Sequence, residues 1–151
     1  MSTYEEVDSY ELEHTLAAFI RAFGLHQAEQ TPCGVSVSVS EAHTLTELAR
    51  TNGLTQSELV SFLRLEKSTV SRLVKGLDKR GWLERTAHPA DRRAQLLTLT
   101  PEGKKKAIQI ATARREKFSA LTQALPETQR ETVLAALSTL VEAIHESEKV
   151  S

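Results

Sequence analysis

The chain has 151 residues, 40% of them hydrophobic and 26% charged, which is the make-up of one folded domain able to bury a core. No apolar run reaches membrane-spanning length, the start (1–13) is acidic rather than basic and then apolar, and the lone Cys33 cannot close an internal disulfide. These features exclude a membrane protein, a secretion signal and a disulfide scaffold, and point to the cytoplasm. The net charge of −1 hides an uneven distribution: residues 55–106 carry twelve Lys and Arg against six Asp and Glu, a balance of +6, and the remainder carries −7. A polyanion-binding module embedded in an acidic scaffold has this pattern.

Aromatics are only 5% of the chain, so the core must come from Leu, Val, Ile and Ala, as in packed helices. The helical spacing of Leu12, Leu16, Phe19, Ile20 and Phe23 predicts a first helix over 9–30, broken by Thr31-Pro32-Cys33-Gly34. The alternating Val and Ser of 35–39 read as an extended connection, after which Ser40 is expected to cap a helix ending at Asn52-Gly53. Thr55-Gln56-Ser57-Glu58 has capping-box spacing and predicts a short helix to Leu63. A turn separates it from a strongly amphipathic helix over 67–80, with Val70, Leu73, Val74 and Leu77 on one face and Ser68, Ser71, Arg72, Lys75 and Lys79 on the other. Beyond Gly81 the period changes. Strands are expected over 82–85 and 95–99, joined by the basic turn His88-Pro89-Ala90-Asp91-Arg92-Arg93. Thr100 and Pro101 open a helix to about Ala124, and a last helix is expected over 127–148.

Two short helices joined by a tight turn, the second basic outside, followed by a hairpin, form a winged helix-turn-helix. The fold class is therefore mainly α with a small β-hairpin wing, flanked by N- and C-terminal dimerisation helices. Residues 1–39 would hold the first dimerisation helix and its connection, 40–100 the DNA-binding domain, and 101–151 the helices that complete the dimerisation part. A helix fits the major groove of double-stranded DNA, and the short side chains of Ser68, Thr69 and Ser71 allow close approach to base edges. Arg72 can pair bidentately with a guanine, and Lys75 suits a phosphate. Thr55, Gln56 and Ser57 stand at a helix N-terminus, where backbone N–H groups receive phosphate. Arg92 and Arg93 at the wing tip suit the narrow minor groove, with Asp91 able to hold a neighbouring Arg in position by a charge-assisted hydrogen bond.

Leu54-Thr55-Gln56-Ser57-Glu58-Leu59, Ser68-Thr69-Val70-Ser71-Arg72-Leu73-Val74-Lys75-Gly76-Leu77, Gly81-Trp82-Leu83-Glu84-Arg85, Pro89-Ala90-Asp91-Arg92-Arg93 and Leu97-Thr98-Leu99-Thr100-Pro101-Glu102-Gly103 occur in this order. Together they resemble the MarR family of winged-helix regulators. The Asp-x-Arg wing motif of that family is matched by Asp91 and Arg93. The resemblance implies a homodimer bound to a near-palindromic operator, acting most often as a repressor. It also implies a small amphipathic or aromatic effector in a crevice, with Phe19, Phe23, His26, His43 and Arg114 as candidate lining residues.

Other chemistry has weaker support. No phosphate loop, metal triad or nucleophile motif marks an enzyme, and no cofactor is expected. His26, Cys33, Glu41 and His43 match no standard zinc spacing, and no histidine lies between Pro101 and Leu125, where zinc-sensing relatives place theirs. A redox-responsive repressor using Cys33 is an alternative, but no Lys or Arg between Gln27 and Ala49 helps to form the thiolate. The remaining alternative is a winged helix that binds proteins without specific DNA binding. The run Lys104-Lys105-Lys106 reads as a solvated helix face.

Overall fold

The computed structural model describes the backbone of residues 3–150 and the side chains from Ser9 to Val150. The helices are α1 (Thr3–Phe23), α2 (Val39–Thr51), α3 (Gln56–Leu63), α4 (Lys67–Lys79), α5 (Pro101–Ala124) and α6 (Arg130–Lys149). Strands β1 (Leu83–Ala87) and β2 (Gln95–Leu99) form one antiparallel hairpin. Its register pairs Leu83 with Leu99 and Ala87 with Gln95. A single 3-10 turn, Glu127–Gln129, precedes α6. The described residues form two compact units, one up to Ala113 and one from Arg114 onward, with α5 running across the division.

Several expected boundaries shift, each for a local reason. The first helix stops at Phe23 rather than near residue 30, because Gly24 turns left-handed at φ +88 and the N–H groups of Gly24 and Leu25 both bond to the Ile20 carbonyl. Helix α2 is capped by Ser38, not Ser40. The Ser38 hydroxyl accepts from Glu41 N–H at 3.1 Å, and Glu41 Oε1 accepts from Ser38 N–H at 3.1 Å. The first strand begins at Leu83, one residue after Trp82, and reaches Ala87. Arg80 is the C-cap of α4, with Gly81 at φ +76 behind it. The last helix starts only at Arg130, after the 3-10 turn.

The capping box at Thr55 and Glu58 forms as the sequence predicts, and Asn52 ends α2 in the left-handed region. Thr100 caps α5 by accepting from Gly103 N–H at 3.0 Å, while its own hydroxyl donates to the Gly81 carbonyl at 2.6 Å. Glycine is required at position 103: a Cβ there would sit inside the Trp82 carbonyl group.

The core lies wholly in the first unit. Leu45, Leu48, Leu59, Val70, Val74, Leu77, Leu83, Leu97 and Ile110 are each at most 2% exposed, and Val35, Val37 and Ala107 join them from outside residues 40–100. Each buried Val, Leu or Ile side chain among them contributes about 1.5–3 kcal/mol by leaving water. Isolated bridging of Leu54 to Leu97 ties the α2–α3 turn to the hairpin. In the second unit no described residue of α6 is buried.

Candidate nucleic-acid interface

Three residues, Arg64 to Glu66, turn the chain between α3 and α4, and Arg64 takes the left-handed conformation at φ 56 while its N–H bonds to the Val60 carbonyl. This turn lets α4 seat Val70, Val74 and Leu77 in the core, with Leu73 packed against it. The opposite side is thereby turned to solvent. Ser68, Arg72 and Lys75 are exposed, and Thr69 and Ser71 are half-buried at its margin. Among the described residues none forms a hydrogen bond or ion pair with these five side chains, so the face is polar, basic and uncommitted.

At the start of α3, the capping box occupies the third N–H, and the N–H groups of Gln56 and Ser57 open the helix with no partner inside it. Thr55 and Gln56 are half-buried and Ser57 is exposed. Gln56 is steadied by a residue the sequence reading passed over: Arg85, on β1, donates to Gln56 Oε1 at 3.5 Å. The signal was a lone basic residue inside a strand, next to the Gly81-Trp82-Leu83-Glu84 motif.

The wing turn is organised by two side chains. Asp91 Oδ1 accepts from Arg93 N–H at 2.9 Å, and His88 Nδ1 accepts from Ala90 N–H at 3.0 Å and Asp91 N–H at 3.2 Å. Asp91 thus bonds the neighbouring Arg93 through its backbone N–H, because a turn of this tightness leaves N–H groups that need acceptors. The Arg92 and Arg93 side chains are exposed and form no hydrogen bond or ion pair among the described residues.

Behind α4, one carboxylate joins two elements. Glu41, already bonded to Ser38, receives Arg80 Nη1 on Oε2 at 2.6 Å. The Arg80 guanidinium lies 5.0 Å from the Trp82 ring centre, and Lys106 Nζ lies 5.2 Å from it. The end of α4 is thus pinned to the start of α2. Elsewhere on α2, a hydrogen bond from Arg50 holds the Glu47 carboxyl below the usual carboxylate range.

None of the expected effector residues lines the groove that opens in the first unit. That groove, about 560 Å³, opens between α2, the hairpin and α5, with Leu48, Leu99 and Ile108 as apolar walls and Asn52, Glu84 and Lys104 as polar ones. The Thr98 hydroxyl is buried in its wall without a hydrogen-bond partner. Phe19 and Phe23 stack on each other at 5.5 Å, His26 and His43 are exposed, and none of the four lines the groove. Arg114 is half-buried at the start of the second unit. Cys33 is half-buried in the connection before α2, and no group of three or more His, Cys, Asp or Glu among the described residues is arranged to hold a metal. Nor is any described helix long and apolar enough to cross a membrane.

Comparison with known proteins agrees with this geometry. A family model described as MarR family matches residues 34–94. YwoH of Bacillus subtilis, an uncharacterized HTH-type transcriptional regulator, is 42% identical over 57 residues, which span 38% of this chain and 41% of that protein. The HTH-type transcriptional repressor YetL of Bacillus subtilis is 28% identical over 145 residues, covering 94% of this chain and 87% of YetL. Among solved structures, Streptococcus pneumoniae FabT in complex with DNA superposes with a TM-score of 0.70 at 17% identity, over 95% of this chain and 98% of FabT, a likeness of fold. With the capped α3, the three-residue turn, the amphipathic α4 and the hairpin wing all in place, the chain has a winged helix-turn-helix fold and is similar, over residues 34–94, to the MarR family of transcriptional regulators.

Proposed function

We infer that the protein is a cytoplasmic, DNA-binding transcriptional repressor that binds a near-palindromic operator as a homodimer and responds to a small amphipathic or aromatic effector. The observation that carries the DNA reading is the uncommitted polar face of α4, presented by the same compact unit as the unpaired Arg92 and Arg93. Ser68, Thr69, Ser71 and Arg72 meet base edges in the major groove, Lys75 and the start of α3 (Thr55, Gln56 and Ser57) meet phosphates, and Asp91 shapes the turn from which Arg92 and Arg93 enter the minor groove. The complex of FabT with DNA supports this reading by analogy of fold, and the repressor YetL supports the sign of regulation.

Dimerisation uses the first helix, within 1–39, and the C-terminal helices, within 101–151. Leu12, Phe19 and Ile20 on α1 and Leu134, Leu137, Val141 and Ile144 on α6 are exposed at levels from 37% to 67%, more apolar surface than a lone chain holds without a partner. Phe19, Phe23, His26, His43 and Arg114 remain the candidate effector contacts, and an effector there acts by favouring one spacing of the two recognition helices.

The test is selection of bound duplexes from fragmented host DNA at near-physiological salt, wild type beside Arg93→Ala. Wild type should enrich a near-palindrome, and the variant should lose affinity by about 1–3 kcal/mol, the worth of one strong contact. Failure of wild type to enrich any sequence, with candidate effectors absent and present, would favour the protein-interaction reading instead.

A further inference from the structure

We propose that His88 is a positioning residue for DNA binding: as a neutral imidazole it holds the wing turn closed and thereby aims Arg92 and Arg93. The proposal rests on the DNA-binding reading above. Both donors to His88 Nδ1 are backbone N–H groups, those of Ala90 and Asp91, so Nδ1 is the bare nitrogen and the ring proton sits on Nε2. The backbone of His88 closes the same turn from the other side, with its N–H on the Ala94 carbonyl at 3.3 Å, and the Ala94 N–H returns to the Asp91 carbonyl at 3.2 Å. With Asp91 Oδ1 taking the Arg93 N–H, the two side chains accept three turn N–H groups, those of Ala90, Asp91 and Arg93. None of these N–H groups belongs to the strand ladder, which ends at Ala87 and Gln95. Without the imidazole, nothing in the hairpin replaces the acceptor for Ala90 and Asp91, and the segment that carries both arginines loses its fixed path.

The experiment has two arms, each with wild type, His88→Asn and His88→Gln. In Asn the side-chain oxygen takes the place of Nδ1 and cannot be protonated, whereas in Gln the polar group reaches the place of Nε2. In the free protein, amide hydrogen exchange at Ala90 and Asp91 should be as slow in His88→Asn as in wild type and faster in His88→Gln. In the second arm, binding to the selected duplex should be retained in His88→Asn and roughly tenfold weaker in His88→Gln, the loss of two turn hydrogen bonds. Full affinity in His88→Gln, or exchange at Ala90 and Asp91 that is as slow in it as in wild type, would each overturn the proposal. If no duplex is bound by wild type, the DNA reading fails, and the free-protein arm still decides whether His88 orders the turn.

Discussion

The recognition helix and the last helix are both amphipathic, yet they end in opposite conditions. Val70, Val74 and Leu77 of α4 are fully buried, while Leu134, Leu137, Val141 and Ile144 of α6 stand 41–67% exposed. The first stripe finds its partners within the chain, in α2, α3, the hairpin and the start of α5. The second has none among the described residues of its own unit that covers it. One region therefore folds on its own contacts, and the other is an exposed apolar surface, the one the proposed homodimer would cover. The division matches the charge pattern, since the self-sufficient region also holds the uncommitted cations.

The sharpest way to break this contrast is to damage the closed core. Leu77→Ala removes a fully buried side chain at the end of α4 and should destabilise by about 2–5 kcal/mol, read as a lowered denaturant midpoint with unchanged slope. A loss below 1 kcal/mol would mean that the packing around α4 is loose. Gly103→Ala comes next. The new Cβ collides with the Trp82 carbonyl, and separating α5 from the base of the hairpin should cost about 1–3 kcal/mol, measured in the same way and accompanied by a change in the fluorescence of Trp82, the single tryptophan. The same substitution at Gly76, which faces open space on α4, should leave both readouts unchanged or slightly raise stability.

Most of the DNA-facing framework was legible because it depends on local signals. Thr55 to Glu58 spells its capping box outright, the α4 stripe is unbroken, and Thr100-Pro101 opens α5 where the sequence places it. The errors fall where two local signals compete. Ser38 and Ser40 both precede a helix, but only Ser38 has Glu41 three residues on, and that spacing decides the cap. On α1 the apolar rhythm carried the predicted helix past Gly24, whose left-handed turn ends it. The links between elements were not legible at all. Arg80 on Glu41, Arg85 on Gln56 and the Trp82 ring between two cations join residues up to 39 positions apart, and nothing in the spacing announces them. In the wing turn the spacing of Asp91 and Arg93 brings the two together, through the Arg93 backbone N–H on Asp91 Oδ1.

The measurement that tests the central contrast most directly is the mass of the protein on its selected duplex, by sedimentation, for wild type and Leu137→Lys. The substitution lies on an exposed face and should alter the stability of a single chain by no more than about 0.5 kcal/mol. The expected result is two wild-type chains per duplex, with half-sites about 10–10.5 base pairs apart, and a variant that is folded, monomeric and weakly bound. One wild-type chain per duplex, or a variant that still pairs and binds as wild type does, would contradict the assignment of α6 to a partner chain.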